Sequence, residues 1–163
     1  MERLWSPWRS EYIANSSPDK LQNTPCFFCE AQQDPARDAE NTVLYRGAQN
    51  FVILNRYPYI SGHLMIAPYA HVGDLAAAEK QTTDEMMDLV KRCQRALNEV
   101  YQPQGFNVGM NLGRVAGAGV ADHIHMHLLP RWGGDTNFMS TVGDTRVLPE
   151  DLQTTYLKLA GKI

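Results

Sequence analysis

At 163 residues the chain is long enough for one domain with a real buried core, and 44% hydrophobic with 20% charged residues excludes a disordered composition. A formal net charge of −3 gives no general pull towards nucleic-acid backbones or anionic membranes, so neither a stable nucleic-acid partner nor a membrane partner is expected. Three sparse cysteines make no disulfide framework; with no secretory h-region and no apolar run near ~18 residues, a cytoplasmic protein is expected.

Residues 1–24 are rich in Trp, Pro, Ser and Asn with little periodicity, and read as an arm laid on a domain. Trp5 and Trp8 read as packing anchors before a nucleobase platform, since an indole buries a large area. The compact part begins near Cys26. Residues 42–45 and 51–54 are β-rich runs around Gly47-Ala48-Gln49-Asn50, which predicts a hairpin. After a loop at Arg56-Tyr57-Pro58-Tyr59, residues 62–67 form a third predicted strand that stops at Pro68.

Thr82 and Glu85 have capping-box spacing. Met86, Leu89, Val90, Cys93, Leu97, Val100 and Tyr101 then recur at helical spacing, predicting one amphipathic helix over 83–101 with Cys93 as a buried, inert thiol. Residues 106–112 and 123–129 are two further predicted strands, and a short helix follows Pro149. Locally paired strands with one long helix indicate α+β with an antiparallel five-stranded sheet. The expected division is an arm at 1–24, a domain at 25–145 and a tail with a short helix at 146–163. An exposed sheet edge invites pairing with a second copy in a symmetric dimer.

In a strand, residues two apart share a face. His123, His125 and His127 therefore project to one side, while Ile124, Met126 and Leu128 project to the core. A row of imidazoles is costly to bury and useless for packing, whereas near pH 7 it can supply nucleophile, acid, base or metal ligand. A nucleophilic histidine must present one nitrogen while its other N–H is tied to an acceptor, normally a backbone carbonyl. Its neighbours can donate to phosphate oxygens or protonate a leaving group. Just upstream, Gly113-Arg114-Val115-Ala116-Gly117-Ala118-Gly119 is small enough to cradle a polyanion with backbone N–H groups, though alone it is equally a turn. Cys26-Phe27-Phe28-Cys29 is a CxxC, which suits a metal, a redox pair or chance.

His-Ile-His-Met-His-Leu-Leu resembles the signature of the histidine-triad family. The resemblance extends over roughly residues 25–145, through Asn55-Arg56-Tyr57-Pro58, Gly62-His63, Gly105-Phe106-Asn107 and Pro130-Arg131-Trp132. The opening Arg3-Leu4-Trp5-Ser6-Pro7-Trp8-Arg9 and the segment from Gly133 to Phe138 resemble a bacterial branch that includes diadenosine tetraphosphate phosphorylases and hydrolases. The resemblance implies the family's α+β fold, a homodimer with one continuous sheet, and a covalent nucleotidyl-histidine intermediate at His125. It further implies that His127 contacts the α-phosphate and scissile bridge, that Asn55 binds ribose hydroxyls, and that Ile53 lines the nucleobase slot. His63 would buttress the triad, and Asn111 would contact phosphate. Some relatives have a hydroxyl residue shortly before the triad; Gly119 and Val120 stand here, which shifts weight to the amides of Gly117 and Gly119. The third triad position is not the glutamine of the uridylyltransferase branch, which counts against sugar-nucleotide exchange.

The resemblance also groups Cys26, Cys29, His71 and His123 around one structural zinc ion, a Cys2His2 set without an open position. The expected activity is nucleotidyl transfer or hydrolysis on a dinucleoside polyphosphate, leaning to phosphorolysis with inorganic phosphate as second acceptor. The alternatives are a nucleotide-binding sensor or scaffold with incidental turnover and, behind it, a redox protein using Cys26 and Cys29.

Overall fold

The computed structural model describes residues 25–136 and 147–163, so the expected arm with Trp5 and Trp8 lies outside the described residues. Five strands form one antiparallel sheet: β1 (Val43–Arg46), β2 (Asn50–Leu54), β3 (Leu64–Pro68), β4 (Gly105–Gly109) and β5 (Met126–Arg131). Their spatial order is β1-β2-β3-β5-β4. Among the described residues four α-helices accompany them: α1 (Phe27–Gln32), α2 (Asp38–Asn41), α3 (Lys80–Tyr101) and α4 (Leu152–Leu159).

The alternation of side chains along β2 explains the two cores. Val52 and Leu54 face α3, joining Leu64, Ile66 and Leu128 with Met86, Leu89, Val90, Cys93 and Leu97. Phe51 and Ile53 face the other way, joining Met65 and Ala67 with Phe28, Ala31 and Val43. The central strands are thus covered on both faces, which is why β2 and β3 read as continuous apolar runs. Cys93 is fully buried, and burial pushes its thiol up to about 12, so it is inert as expected. Leu159 of α4 and the following Ile163 enter the α3 core, so the tail is part of the domain's packing.

Several predicted boundaries shift. Helix α3 begins at Lys80, not 83, and the predicted capping box does not form: the N-cap is Glu79 and has no side-chain cap bond. Thr82 is buried inside the helix. The Glu85 carboxylate turns outward from the helix to the β1–β2 hairpin. It accepts from Ala48 N at 2.6 Å, Gln49 N at 2.7 Å and Asn50 Nδ2 at 2.8 Å. Burial opposes its charge, but these donors together lower its pKa. Three tertiary donors outcompete a single local cap. Strand β4 ends at Gly109, short of 112, and β5 starts at Met126, so His123 and His125 precede the strand that holds His127. Helices α1 and α2, between the CxxC and β1, are not anticipated by periodicity because neither exceeds six residues.

Candidate active site and metal centre

The approach to β5 is fixed by backbone before any side chain acts. Ile124 N donates to Val72 O at 2.7 Å, which lays residues 121–124 against the loop that follows β3. Gly73 permits the crossing: a Cβ there would meet Asp122 Cα at 3.0 Å. The crossing brings His71 beside His123, with ring centroids 5.2 Å apart. Cys26 caps α1 and Cys29 lies within it, so one short helix presents both thiols to these rings. Cys29 Sγ is 3.2 Å from His71 Nδ1 and 3.6 Å from His123 Nδ1, and Cys26 Sγ is 3.4 Å from His123 Nδ1. The ligand atoms of all four residues lie within 4.8 Å of one another, a cluster that can bind a metal ion. His123 Nε2–H donates to Pro68 O at 2.9 Å, which leaves Nδ1 with its lone pair facing the thiols.

His123 also governs its neighbour. Its carbonyl lies 2.9 Å from His125 Nδ1, which can only donate to it; neutral His125 therefore keeps a lone pair on Nε2. His127, whose ring centroid is 4.8 Å from that of His125, touches His63 through Nδ1 at 2.9 Å from His63 Nε2. His63 and His125 are buried, and burial lowers the pKa of every histidine in this group. For His63 burial and then the neighbouring His127 bring it to about 3; for His127 burial and then His125 bring it to about 4. The group is uncharged at neutral pH. His125 and His127 lie side by side, and Leu128 and Met126 pack towards α3 as the alternation predicted.

Other expected site residues are placed differently. Ile53 has no exposed surface; it packs in the cluster with Phe28, because β2 is covered on this face too, so it is core instead of an open slot wall. Asn55 has both polar ends engaged, Oδ1 accepting from Tyr57 N at 2.9 Å and Nδ2 standing 3.3 Å from His63 Nδ1. Asn111 Nδ2 donates to Gly117 O at 3.4 Å and so ties down the glycine loop. The Gly117 amide donates to Arg114 O at 2.9 Å within that loop, so its part there is the left-handed φ of 94° and not a free donor. Gly119 is exposed.

Two residues were not anticipated. Phe28, inside the CxxC, is buried with its ring centroid 5.1 Å from His123 and 4.8 Å from His125. Its signal was the apolar pair between the cysteines, on a helix too short to show a period. Tyr59 packs 4.8 Å from His63 and 6.3 Å from His127, and nothing in its loop sequence marks that role.

The family model described as "HIT domain" matches residues 36–134. The chain is 38% identical over 164 residues to a protein of Mycobacterium tuberculosis named AP-4-A phosphorylase, covering 98% of this chain and 83% of that protein. Among solved structures it is similar to a zinc-bound histidine triad family protein from Mycobacterium smegmatis, with a TM-score of 0.67, 28% identity, and coverage of 85% of this chain and 92% of the other. A hypothetical histidine triad nucleotide-binding protein from Sulfolobus tokodaii matches with a TM-score of 0.66 and 25% identity, covering 84% and 91%.

The depressed values of His63 and His127 set a direction for stability. Unfolded histidines take up protons below about pH 6.5 while these folded ones do not, so stability falls as pH drops from 6.5 towards 4. Each contributes on the order of 1 kcal/mol per pH unit in that window. Denaturant titrations of the native protein and of His63→Gln, which leaves Cys26, Cys29, His71 and His123 in place, should diverge there, with the variant's stability falling less steeply. Parallel pH profiles would contradict the assignment.

Proposed function

The chain belongs to the HIT family, and on that premise we propose that it is a nucleotidyl transferase or hydrolase acting on dinucleoside polyphosphates through His125. The observation that carries this reading is the bond from His125 Nδ1–H to the His123 carbonyl, which leaves Nε2 as a nucleophilic lone pair on a neutral ring. The 38% identity to a protein named AP-4-A phosphorylase, over nearly the whole chain, supports diadenosine tetraphosphate as substrate and inorganic phosphate as second acceptor.

In the first displacement His125 Nε2 bonds to the α-phosphorus, and the polyphosphate leaves with the electron pair of the broken P–O bond. His127 faces the reacting phosphate, and donors fixed in advance lower such a barrier by several kcal/mol. In the second, an oxygen of phosphate displaces His125 to give ADP, or water does so to give AMP. Asn111 and the glycine loop would hold the polyphosphate, with Asn111 keeping the loop's shape and the Gly119 backbone meeting the anion. Asn55 would exchange its present contacts for the ribose hydroxyls.

The metal we assign to Cys26, Cys29, His71 and His123 is zinc. Zinc–ligand bonds of about 2.3 Å to sulfur and 2.0 Å to nitrogen place tetrahedral ligands roughly 3.5 Å apart, close to the sulfur–nitrogen separations here. The donor set and the Pro68 carbonyl behind His123 fit such an ion, and the zinc-bound relative supports it. With four protein ligands the ion supplies a structural tie. A second copy of the chain would pair at β4, the open sheet edge where Val108 is 48% exposed.

Incubation with diadenosine tetraphosphate should yield ADP and ATP only when phosphate is added, and AMP and ATP otherwise. His125→Ala should bind substrate within a few-fold of native yet lose turnover on the order of 10³-fold or more. Tight binding without turnover in the native chain would instead mark a sensor. Elemental analysis should find one zinc per chain, reduced in Cys29→Ser together with stability; a metal-free, fully stable preparation would remove the zinc assignment. Light scattering should give twice the 18.4 kDa chain mass, and a monomer at working concentration would rule out the paired edge.

A further inference from the structure

The cluster of Cys26, Cys29, His71 and His123 is open at one side and closed at the other. His71 is exposed, and Cys29 Sγ lies 3.2 Å from its Nδ1 at that rim. On the closed side His123 is fully buried, with Cys26 Sγ 3.4 Å from its Nδ1. A small solute entering past His71 therefore meets Cys29 first. Cys26 is the N-cap of α1 and Cys29 its third residue, so both sulfurs belong to the first turn of one helix. Cys93 is fully buried in the α3 layer, away from this turn.

The same turn carries Phe28. Its ring is 1% exposed, packs with Ile53 and Met65, and lies 4.8 Å from the ring of His125. Residues three apart on a helix have Cβ atoms ~5–6 Å from each other. A disulfide needs them closer, at about 3.5–4.5 Å. Joining Cys26 to Cys29 therefore draws the turn in, and an enclosed Phe28 passes that shift to His125.

We propose that Cys29 is a modification site for peroxides with Cys26 as its resolving partner, and that the resulting disulfide slows turnover at His125 by releasing the metal and shifting Phe28. The proposal rests on the zinc assignment and on His125 as the nucleophile. A cysteine that ligates a metal is deprotonated, so both sulfurs are thiolates in the loaded chain. Oxidation by peroxide follows thiolate character and exposure. The Cys29 thiolate attacks one peroxide oxygen and the O–O bond breaks. With hydrogen peroxide, Cys29 becomes a sulfenic acid and hydroxide leaves. The Cys26 thiolate then attacks the Cys29 sulfur, the S–O bond breaks, and a second hydroxide leaves. The two sulfurs have lost two electrons, and both hydroxides take protons from solvent to become water. His71 and His123 remain as two nitrogen ligands, too few to retain the ion.

Treating the full-length, zinc-loaded protein with hydrogen peroxide reads each step. Zinc released to a chromogenic chelator should rise in step with a Cys26–Cys29 bridge, mapped by mass spectrometry after alkylation, while Cys93 stays a free thiol. The ¹H–¹⁵N signals of the His125 ring should shift. On diadenosine tetraphosphate kcat should fall by about 10- to 10²-fold, since a small misplacement of a reacting group has that cost. Dithiothreitol together with zinc should restore both. In Cys26→Ser the oxidation should stop at a Cys29 sulfenic acid, trapped by dimedone; if that variant does not fold, mapping of the native chain decides. Oxidation that spares Cys26 and Cys29, a bridge to Cys93, or a Cys26–Cys29 bridge that leaves the His125 signals and kcat unchanged would overturn the proposal. A chain isolated without zinc would remove the metal assignment, with the bridge and its effect on His125 still read by mapping and spectra. A chain without turnover of diadenosine tetraphosphate would sink the proposed function and leave the zinc, disulfide and His125 readouts standing.

Discussion

One residue, His123, is bound at three points, and the site depends on how each is filled. Its Nε2–H is tied to the Pro68 carbonyl, its Nδ1 faces Cys26 and Cys29, and its own carbonyl takes the Nδ1–H of His125. A neutral imidazole has one proton to place, so the carbonyl at one end decides what the other end can do. Here the result is a lone pair towards the thiols. The same logic, passed through the peptide carbonyl, leaves a lone pair on His125. The first member of the row thus acts on the second through its backbone, while its side chain belongs to the cluster that can bind a metal ion.

Burying so many imidazoles would be prohibitive if their nitrogens were unpartnered. In this site the pairing is direct: carbonyl oxygens take the protons of His123 and His125, and His63 pairs with His127. Burial then keeps the rings neutral, because it penalises the charged form and each ring neighbours another that could charge. Neutrality is what a nucleophilic nitrogen and a metal-ligating nitrogen both require. Phe28 joins the two halves: it sits between Cys26 and Cys29 in the chain and packs on both His123 and His125. Loss of order in α1 would therefore reach His125 by packing as well as through the cluster.

The rest of the domain supplies rigidity on the opposite face of the sheet. Helix α3 covers Val52, Leu54, Ile66 and Leu128, and α4 adds Leu159 to the same layer. Glu85 fastens α3 to the β1–β2 hairpin through three donors, which ties the helix to the first two strands. Strand β3 then lies between β2 and β5, with Met65 opposite His127 in register. That register, anchored by apolar residues on both faces, holds His127 within reach of His63, just ahead of β3.

Short-range repetition in the chain encodes only short-range geometry. The period-2 row of His123, His125 and His127, the α3 stripe from Met86 to Leu97, and the apolar runs of β2 and β3 were all legible, because strand and helix geometry map spacing onto faces. The grouping of Cys26, Cys29, His71 and His123 was legible only through resemblance, since 97 residues separate Cys26 from His123 and no local spacing encodes such a contact. The remaining features come from long-range packing. It turned Glu85 from a cap to a hairpin anchor, closed Ile53 into the core, engaged Asn55 and the Gly117 amide internally, and put Phe28 and Tyr59 against the histidines. It also decided the protons. The triad's spacing says which side the rings face, but a tautomer depends on what meets the far nitrogen, and those partners come from Pro68, Tyr59 and His63, brought there by sheet pairing and loop crossing.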